Sequence, residues 1–555
     1  MSHYRIRVQP HASLYVGGYA QALGGSDGDT ASDALGLLLP GSAVKGALRE
    51  AAARLVRGAG KGGDLLLQLF GGSSEQSGLL RVSTLRPNEP AGAADGTVRN
   101  HVSLERATRQ AAQQRLFQNR VTPALRGLCF EGVVESSQPL SEEELGLLES
   151  AAEITDQLGG GRGRGLGLVK ISLASLDGEP QEAVWEVEAA ATSLVLCLEA
   201  EEPLHLSGVK DPSNYVTSKD YLDGSTVRGA VAAALGGRSG DREMESLLGG
   251  ESPASFGDGR PGGAGAIPAP MTLQAPKRGG ALVDIAAILC AEACGGRPVA
   301  RPEDVRTAKG TVIRTKEGWT GLTVKRRTVT RTARDHASGR SADGQLYSLE
   351  VLDPWSVCPA NNKEGEKAEK PKVERLRFDV PVSGTPAQLT LVVKAAGRGL
   401  VVGGDRSRGF GRLRLVEVRT EPDLSSLENR HALWVERLSR LGVPDAESSG
   451  VLLALGPLAM SQERLLAALS ELGLVLVEGA ARRQIHGGWN ARIHLQRSLS
   501  SHFLPGSTFI VQAPGRSALP VLAELERQGL GPGRPDGWGR LIACHPIHLD
   551  CCKEG

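Results

Sequence analysis

Residues 403–411 have the sequence GGDRSRGFG, and residues 159–167 repeat its pattern with GGGRGRGLG. Both fit GG-x-R-x-R-G-Φ-G, where Φ is a large apolar residue. Apolar residues alternate with others after each copy, as Leu413 and Leu415 do, so each copy is predicted to be a glycine-rich loop that leads into a β-strand. A Walker loop is excluded, because neither copy contains G-K-[ST] and no helical pattern follows.

The composition of these two loops indicates what they approach. Glycine lets a backbone come very close to another molecule, and arginine binds phosphate oxygens through several donors. Two arginines in each loop therefore favour a polyanion, and RNA is the first candidate.

Length and charge set the limits for the whole chain. With 555 residues it is too long for one core and suggests three domains. Lys and Arg number 64 against 63 Asp and Glu, so any basic surface must be local. No apolar run approaches the length of a membrane span and the N-terminus lacks a signal peptide, so we expect a cytoplasmic protein without a membrane partner.

A second repeat precedes the loops. Residues 39–53 have the sequence LPGSAVKGALREAAA, and residues 222–236 have LDGSTVRGAVAAALG. Each predicts a Gly-Ser segment that opens an alanine-rich helix, with Ser42 and Ser225 as N-caps. Residues 105–108 and 116–117 match residues 335–338 and 346–347 at the same spacing. Three landmarks in the same order predict two copies of one domain.

The order of elements predicts an α+β fold of tandem ferredoxin-like, RRM-like domains, each β-α-β-β-α-β with a large insertion. The predicted domains are residues 1–190, 191–425 and 426–555, the last a partial third copy. Two segments rich in Gly, Ser and Pro or in Lys and Glu, near 236–280 and 359–374, are predicted to be mobile insertions. Residues 531–539, GPGRPDGWG, have Asp536 in place of the second arginine, which predicts weaker RNA binding.

The ordered set of motifs resembles the RAMP superfamily of CRISPR-associated proteins, the RNA-binding subunits of antiviral type III effector complexes. The first copy is similar to their backbone subunit, and residues 100–108 are similar to the segment that leads into its thumb hairpin. The second copy and the C-terminal part, through residues 203–207 and 223–229, are similar to the subunit that caps the 5′ end of the guide in type III-D systems. The resemblance covers nearly the whole chain apart from the two insertions.

This resemblance implies a III-D-like subunit in which a backbone-type unit is fused to a 5′-end-capping-type unit. Its partners would be crRNA, target single-stranded RNA and other CRISPR effector subunits. The basic segments 99–120 and 307–346 are predicted to be hairpins that reach over the guide. Charged surface faces and tight turns with salt bridges remain the alternatives for the basic residues. The candidate RNA-binding residues are Lys45, Arg49, Gly160, Arg162, Arg164, Gly165, Arg228, Lys325, Arg326, Arg327, Gly404, Arg406, Arg408 and Gly409.

Catalytic activity is an open question. The resemblance implies a catalytic aspartate, with Mg²⁺ or Mn²⁺, in the acidic loop before the first helix. Asp27 is the first choice as catalytic residue and metal ligand, Asp29 and Asp33 are rivals, and Asp211 has a nearby place in the second copy. The loop is short and lacks the bulky residues of the family, and Asp and Gly are also ordinary turn residues. A scaffold without nuclease activity is therefore the competing prediction.

Two further chemistries have weaker support. A metal-independent endoribonuclease that processes pre-crRNA would need a histidine base, and the candidates His101, His205, His336 and His486 form no recognisable pair. Zinc is not expected, because Cys290 and Cys294 lie in an apolar helix and the Cys/His-rich tail 544–552 lacks a standard ligand spacing.

Overall fold

The structure is a computed structural model, and it describes residues 2–17, 29–33, 35–72, 78–88, 96–105, 107–125, 127–176, 185, 187–210, 214–236, 242–250, 252–263, 265–334, 341–358, 372–420, 424–490 and 495–551. The chain is mixed α+β with mainly antiparallel sheets, which confirms the predicted class. Three of the sheets have helices packed on one face and form the main cores.

The first sheet is built from the first strand of the chain outward. Burial alternates along Ser2–Pro10, with Ile6 and Val8 buried and Arg5 and Arg7 exposed, so one face packs on helices and the other does not. When its four main strands are numbered in chain order, they lie side by side in the sheet in the order second, third, first and fourth. These strands are Ser2–Pro10, Leu80–Val82, Phe130–Ser136 and Val169–Ser175, and the packed helices are Gly41–Ala59 and Glu142–Ile154.

The second sheet has the same strand order. Its strands are Ser193–Ala200, Ser255–Phe256 with Arg260–Pro261, Arg377–Ser383 and Arg412–Arg419, with Leu400–Val401 at the far edge and helices Gly224–Ala234 and Pro386–Gly397. One prediction was wrong here. Part of the segment predicted as a mobile insertion, residues 255–261, forms the edge of this sheet, and Phe256 is fully buried. These strands have only two residues each in a Gly- and Pro-rich segment, so alternation could not show them.

The third sheet again has the order second, third, first and fourth strand. Its strands are Ser449–Ala454, Val475–Ala480, Thr508–Gln512 and Leu541–Ala543, with helices Gln462–Glu471 and Leu519–Gln528. The predicted partial copy thus has all four strands and both helices. Helix Ala286–Ala293, which lies within the range predicted for the second domain, contributes Ala287 and Cys290 to the core of this third unit.

Each of the three sheets has a β-hairpin between its second and third strands. Hairpin 1 (residues 97–121) was predicted. The second predicted hairpin is in fact two, because Thr311–Thr315 pairs with Gly318–Leu322 before hairpin 2 (residues 326–352) begins. Hairpin 3 (residues 483–503) was not predicted. The hairpin strands are Thr97–Leu104 and Ala111–Val121, Arg326–Arg334 and Ser341–Leu352, and Arg483–Asn490 and Leu495–Phe503.

Further elements lie at the edges of these units, between them or after the last strand, and Arg86–Pro87 pairs with Phe130–Ser136 as a fifth strand of the first sheet. The remaining helices are Gly63–Phe70, Arg242–Leu248, Leu427–Arg440 and Ile547–Asp550. The remaining strands are Ser32–Asp33, Gly36–Leu37, Arg86–Pro87, Ser207–Lys210, Tyr215–Ser218, Ile267–Pro268, Leu273–Pro276, Val283–Asp284, Val305–Thr307, Trp355–Cys358 and Lys372–Arg375. Among the described residues, no helix is long and apolar enough to cross a membrane.

Candidate RNA-binding surface

Three glycine-rich loops have one geometry: loop 1 (residues 159–167), loop 2 (403–411) and loop 3 (531–539). Each contains a single 3₁₀ turn, namely Arg162–Arg164, Arg406–Arg408 or Arg534–Asp536. The residue on either side of each turn is in the left-handed region, which favours glycine. These flanking residues are Gly161 and Gly165, Asp405 and Gly409, and Gly533 and Gly537. Strands Val169–Ser175 and Arg412–Arg419 follow the first two loops, as predicted.

The same backbone hydrogen bonds attach loops 1 and 2 to their own units. The amide of Gly160 donates to the carbonyl of Tyr15 at 2.7 Å, and the amide of Gly404 donates to the carbonyl of His205 at 2.9 Å. A Cβ on Gly159 would collide with the Tyr15 carbonyl. The close approach that these glycines permit is therefore made, at these positions, to the protein itself.

The second arginine of loops 1 and 2 contacts an aromatic residue of the hairpin. The guanidinium of Arg164 lies 5.3 Å from the ring centroid of Phe117. In the second unit, Arg408 Nη1 donates to the Tyr347 hydroxyl at 2.8 Å. Phe117 and Tyr347 are the residues that the sequence repeat paired, and both arginines are exposed. Each copy thus presents a cation beside an aromatic ring at the surface.

A cavity of about 420 Å³ adjoins loop 1. Tyr15, His101, Asn119 and the two loop arginines are among its lining residues. The His101 ring stacks on Phe117 with centroids 5.1 Å apart, and its Nε2 has no hydrogen-bond partner among the described residues. Arg162 is held from the other side, since its Nε donates to the Gly159 carbonyl at 3.1 Å and its Nη1 lies 3.4 Å from Glu50 Oε2.

Each Gly-Ser helix lies where one unit meets the next, since Arg408 of loop 2 is near Lys45 and Asp536 of loop 3 pairs with Arg228. The two helices begin at Gly41 and Gly224, so the predicted N-caps Ser42 and Ser225 were wrong: Pro40 and Asp223 hold the cap positions, and neither side chain caps the helix. Both helices start two residues earlier than predicted, and the first glycine of each packs directly against a strand carbonyl.

Lys45 is only 8% exposed, and its Nζ donates to the Leu80 carbonyl at 2.7 Å. Burial, with smaller contributions from the charges of Arg49 and Arg408, lowers the pKa of Lys45 to about 8. Arg228 is paired instead, with Nη1 2.9 Å from Asp536 Oδ1 and Nη2 donating to the Leu248 carbonyl at 2.5 Å.

The tight basic cluster of residues 325–327 lies at the base of hairpin 2. Lys325 and Arg327 face Asp353, with nitrogen–oxygen distances of 3.8 and 3.2 Å. Arg326 Nη1 lies 3.1 Å from Glu350 Oε2. Much of the positive charge of this cluster is therefore balanced by carboxylates of the same unit.

The structure describes two of the four candidate catalytic aspartates, Asp29 and Asp33. Asp27 and Asp211 lie outside the described residues. The side chain of Asp29 is 5% exposed, 3.9 Å from Arg120 Nε, and that of Asp33 is 2% exposed, in two contacts of 3.2 and 2.5 Å with Arg86. Where the structure describes the chain, no group of three His, Cys, Asp or Glu residues could hold a metal ion. Asp29 and Asp33 therefore face arginines of their own unit rather than a described cluster of metal ligands.

The candidate histidines and cysteines have mostly structural surroundings. His205 is buried with Nδ1 2.8 Å from the Glu350 carbonyl, while His336 and the side chain of His486 lie outside the described part of the chain. Burial first, then the neighbouring Cys294, raises the pKa of Cys290 to about 12. In the tail, His548 Nδ1 lies 3.1 Å from buried Asp284, and burial lowers the pKa of His545 to about 3.

Comparison with known proteins places this geometry in a family. A family model described as the RAMP superfamily matches residues 37–170 and 197–414, more than half of the chain. The chain belongs to the RAMP superfamily. The two matched segments of this RAMP protein contain both Gly-Ser helices and all of loop 1 and loop 2. A comparison with curated proteins found no match.

Solved structures similar to this RAMP protein include chains of the type III-B Cmr-beta complex. One, from a complex bound to cognate target RNA and AMPPnP, is 13% identical, with 60% of this chain and 89% of that chain covered and a TM-score of 0.33. Another, bound to cognate target RNA, is 11% identical over 31% of this chain and 97% of that chain, with a TM-score of 0.26. A chain of the apo complex is 11% identical over 32% and 98%, with a TM-score of 0.24.

Proposed function

We propose that this RAMP protein is a crRNA-binding subunit of a type III CRISPR effector complex, which holds the guide while it pairs with target RNA. The observation that carries the proposal is the arginine–aromatic pair at the surface of two units, Arg164 with Phe117 and Arg408 with Tyr347. Cations beside aromatic rings suit single-stranded RNA, whose phosphates are attracted by the charge and whose bases stack on rings or guanidinium groups.

The first junction, where loop 2 lies against the first Gly-Ser helix, adds charge to this surface. Lys45, Arg49 and Arg408 lie close enough together for both arginine charges to lower the pKa of Lys45. Three cations held together are stabilised when a phosphate enters between them, because the phosphate replaces repulsion by attraction. This supports Arg408, which is exposed, as a contact to the RNA backbone, while buried Lys45 acts through its charge.

The finer assignment rests on the sequence resemblance. We propose that the three sheets are tandem ferredoxin-like RAMP domains, the first of the backbone type and the second and third together of the 5′-end-capping type of III-D-like systems. Other effector subunits and target RNA are the expected partners. Target cleavage with Mg²⁺ or Mn²⁺ at Asp27 is proposed from the sequence alone, and a guide-binding scaffold without nuclease activity is the alternative.

The test compares two double variants of equal charge change. Arg164→Ala/Arg408→Ala removes both arginines beside the aromatic rings, and Arg440→Ala/Arg527→Ala removes two exposed arginines of the third unit that pair with Glu436 and Glu524. We expect the first variant to weaken binding of single-stranded RNA. The dependence of log K on log salt, which has a negative slope, should also become less steep by about 1.4, since each phosphate contact to a single strand contributes roughly 0.7. Equal losses in both variants, with circular dichroism unchanged, would show that the arginine–aromatic pairs are not the RNA site.

A further inference from the structure

Two of the three glycine-rich loops join one unit to the next. Loop 2 lies on the first Gly-Ser helix, where a Cβ on Gly409 would be 3.1 Å from the Val82 carbonyl and 3.5 Å from the Gly41 backbone. Loop 3 lies on the second Gly-Ser helix, where a Cβ on Gly537 would collide with the Phe256 carbonyl. Gly409 and Gly537 are both buried. The loop of one unit thus docks on the Gly-Ser helix of the unit before it.

The docking is reciprocal at the helix end. A Cβ on Gly224, the first residue of the second Gly-Ser helix, would lie 2.7 Å from the Asp536 carbonyl of loop 3. The ion pair between Arg228 and Asp536 adds a charged contact one turn further along the helix. Glycine at the start of the helix and glycine at the end of the 3₁₀ turn are therefore both required for the two backbones to meet.

Loop 1 has the same geometry but an uncovered face. Gly165 is the counterpart of Gly409 and Gly537, with φ of 76° against 81° and 79°. It is exposed, and no described atom lies within 4 Å of a Cβ placed on it or on Gly163. The structure thus shows two filled loop–helix junctions and a third loop of the same form without one among the described residues.

We infer that loop 1 is a docking surface for a separate protein chain that presents a Gly-Ser helix, so that the junction made twice within this chain is made a third time between chains. Continuity with the two junctions inside the chain supports this inference. It is independent of RNA binding, and it would hold if the arginine–aromatic pairs bound no RNA.

A second copy of this chain is a poorer occupant. Its two Gly-Ser helices are already covered by loops 2 and 3. The corresponding helix of the third unit, Gln462–Glu471, begins after the N-cap Ser461 and has Gln462 where the others have glycine. A side chain at that place would stand between the two backbones. The occupant is therefore a different chain with glycine and serine at the start of its helix.

A photo-cross-linker tests this inference in the full-length chain. Residue 163 is exposed and has ordinary φ, so p-benzoylphenylalanine can replace Gly163 without straining the left-handed positions on either side. The chain is expressed and cross-linked in its native host, and the adduct is mapped by mass spectrometry. We expect a cross-link to a Gly-Ser segment of another protein. A cross-link to a second copy of this chain, to RNA alone or to any other segment would overturn the inference, and so would no adduct.

A matched pair of variants provides the second measurement. Gly163→Trp places a bulky side chain on the proposed surface, and Gly146→Trp places one on an exposed helix position of the same unit where a Cβ also has no described atom within 4 Å. Only Gly163→Trp should abolish co-purification of the cross-linked partner, while circular dichroism shows that both variants keep the fold of wild type. If both variants retain the partner, the inference fails even where RNA binding is normal. If RNA binding proves absent in the wild type, the proposed function fails instead.

Discussion

Arg228 and Asp536 are separated by 308 positions in the sequence, yet Arg228 Nη1 lies 2.9 Å from Asp536 Oδ1. Asp536 stands where loops 1 and 2 have their second arginine. From the sequence alone, this change predicts weaker RNA binding. In the structure the carboxylate pairs with the basic residue of the second Gly-Ser helix, which gives loop 3 a role in joining the second and third units.

Replacement of Asp536 should weaken that junction. In Asp536→Ala, Arg228 loses a charged hydrogen-bond partner in a partly buried place, which costs about 1–3 kcal/mol. Thermal unfolding and limited proteolysis between the second and third units measure the effect. Glu524→Ala is the control, because it removes an exposed carboxylate that pairs with Arg527 and should cost less than about 1 kcal/mol. Similar effects in the two variants would argue against a structural role for Asp536.

A network of charged residues holds the first and second units together. Arg81 contacts Glu135 at 2.9 Å and also contacts Glu202, while Arg412 contacts Glu135 and lies 3.3 Å from Glu201. Arg81 and Glu202 have side chains 11% and 4% exposed. The nearby arginine charges lower the pKa of Glu135 although its burial opposes this, whereas burial dominates at Glu202 and raises its pKa.

Removal of Arg81 alone should therefore be costly. Arg81→Met leaves buried Glu202 and partly buried Glu135 with less positive charge nearby, and breaking a buried ion pair costs about 3–5 kcal/mol. The double variant Arg81→Met/Glu202→Gln should recover part of this loss, because one of the stranded charges is gone. Scanning calorimetry of the two single variants and the double variant measures the coupling. Strict additivity would show that Arg81 and Glu202 do not stabilise each other.

The sequence predicted what is local. The loop motif and the Gly-Ser helices follow from spacing within one unit, and the correspondence of Phe117 to Tyr347 follows from the same spacing in both units. It could not predict the junctions, since nothing in residues 403–411 shows that Gly409 meets Gly41. Hairpin 3 was missed because its strands are rich in Gly, Ser and His rather than in the β-branched and aromatic residues that favour strands.

The catalytic site is the least predictable part. The resemblance placed an aspartate in the loop before the first helix without deciding which one. The structure narrows the alternatives, because Asp29 and Asp33 are nearly buried beside Arg120 and Arg86. Asp27, outside the described residues, stays a prediction from sequence.

Asp27→Ala is expected to remove cleavage of labelled target RNA at one site of the assembled complex, with target binding unchanged. Such cleavage should require Mg²⁺ or Mn²⁺ and stop when EDTA removes the ion. Gel analysis of the products, with Asp29→Ala as the comparison, locates the site. Loss of cleavage in Asp29→Ala alone would show that the loop alignment is wrong. If the complex with Asp27→Ala and the complex with Asp29→Ala both cleave target RNA at every site that the wild-type complex cleaves, the chain is a scaffold.

Lys45 predicts how stability depends on pH. Its pKa is about 8 in the folded protein and 10.5 for an ordinary lysine, so the unfolded chain binds more protons between these values. Stability therefore rises with pH through that window, by at most about 3 kcal/mol from this residue. Lys45→Met has no such group. The Tm of wild type minus the Tm of the variant should therefore increase as the pH is raised from about 7.5 to about 10. The exposed Lys170→Met should run parallel to wild type throughout. Parallel curves for Lys45→Met as well would mean that Lys45 keeps an ordinary pKa, and that Arg49 and Arg408 do not concentrate charge at the first junction.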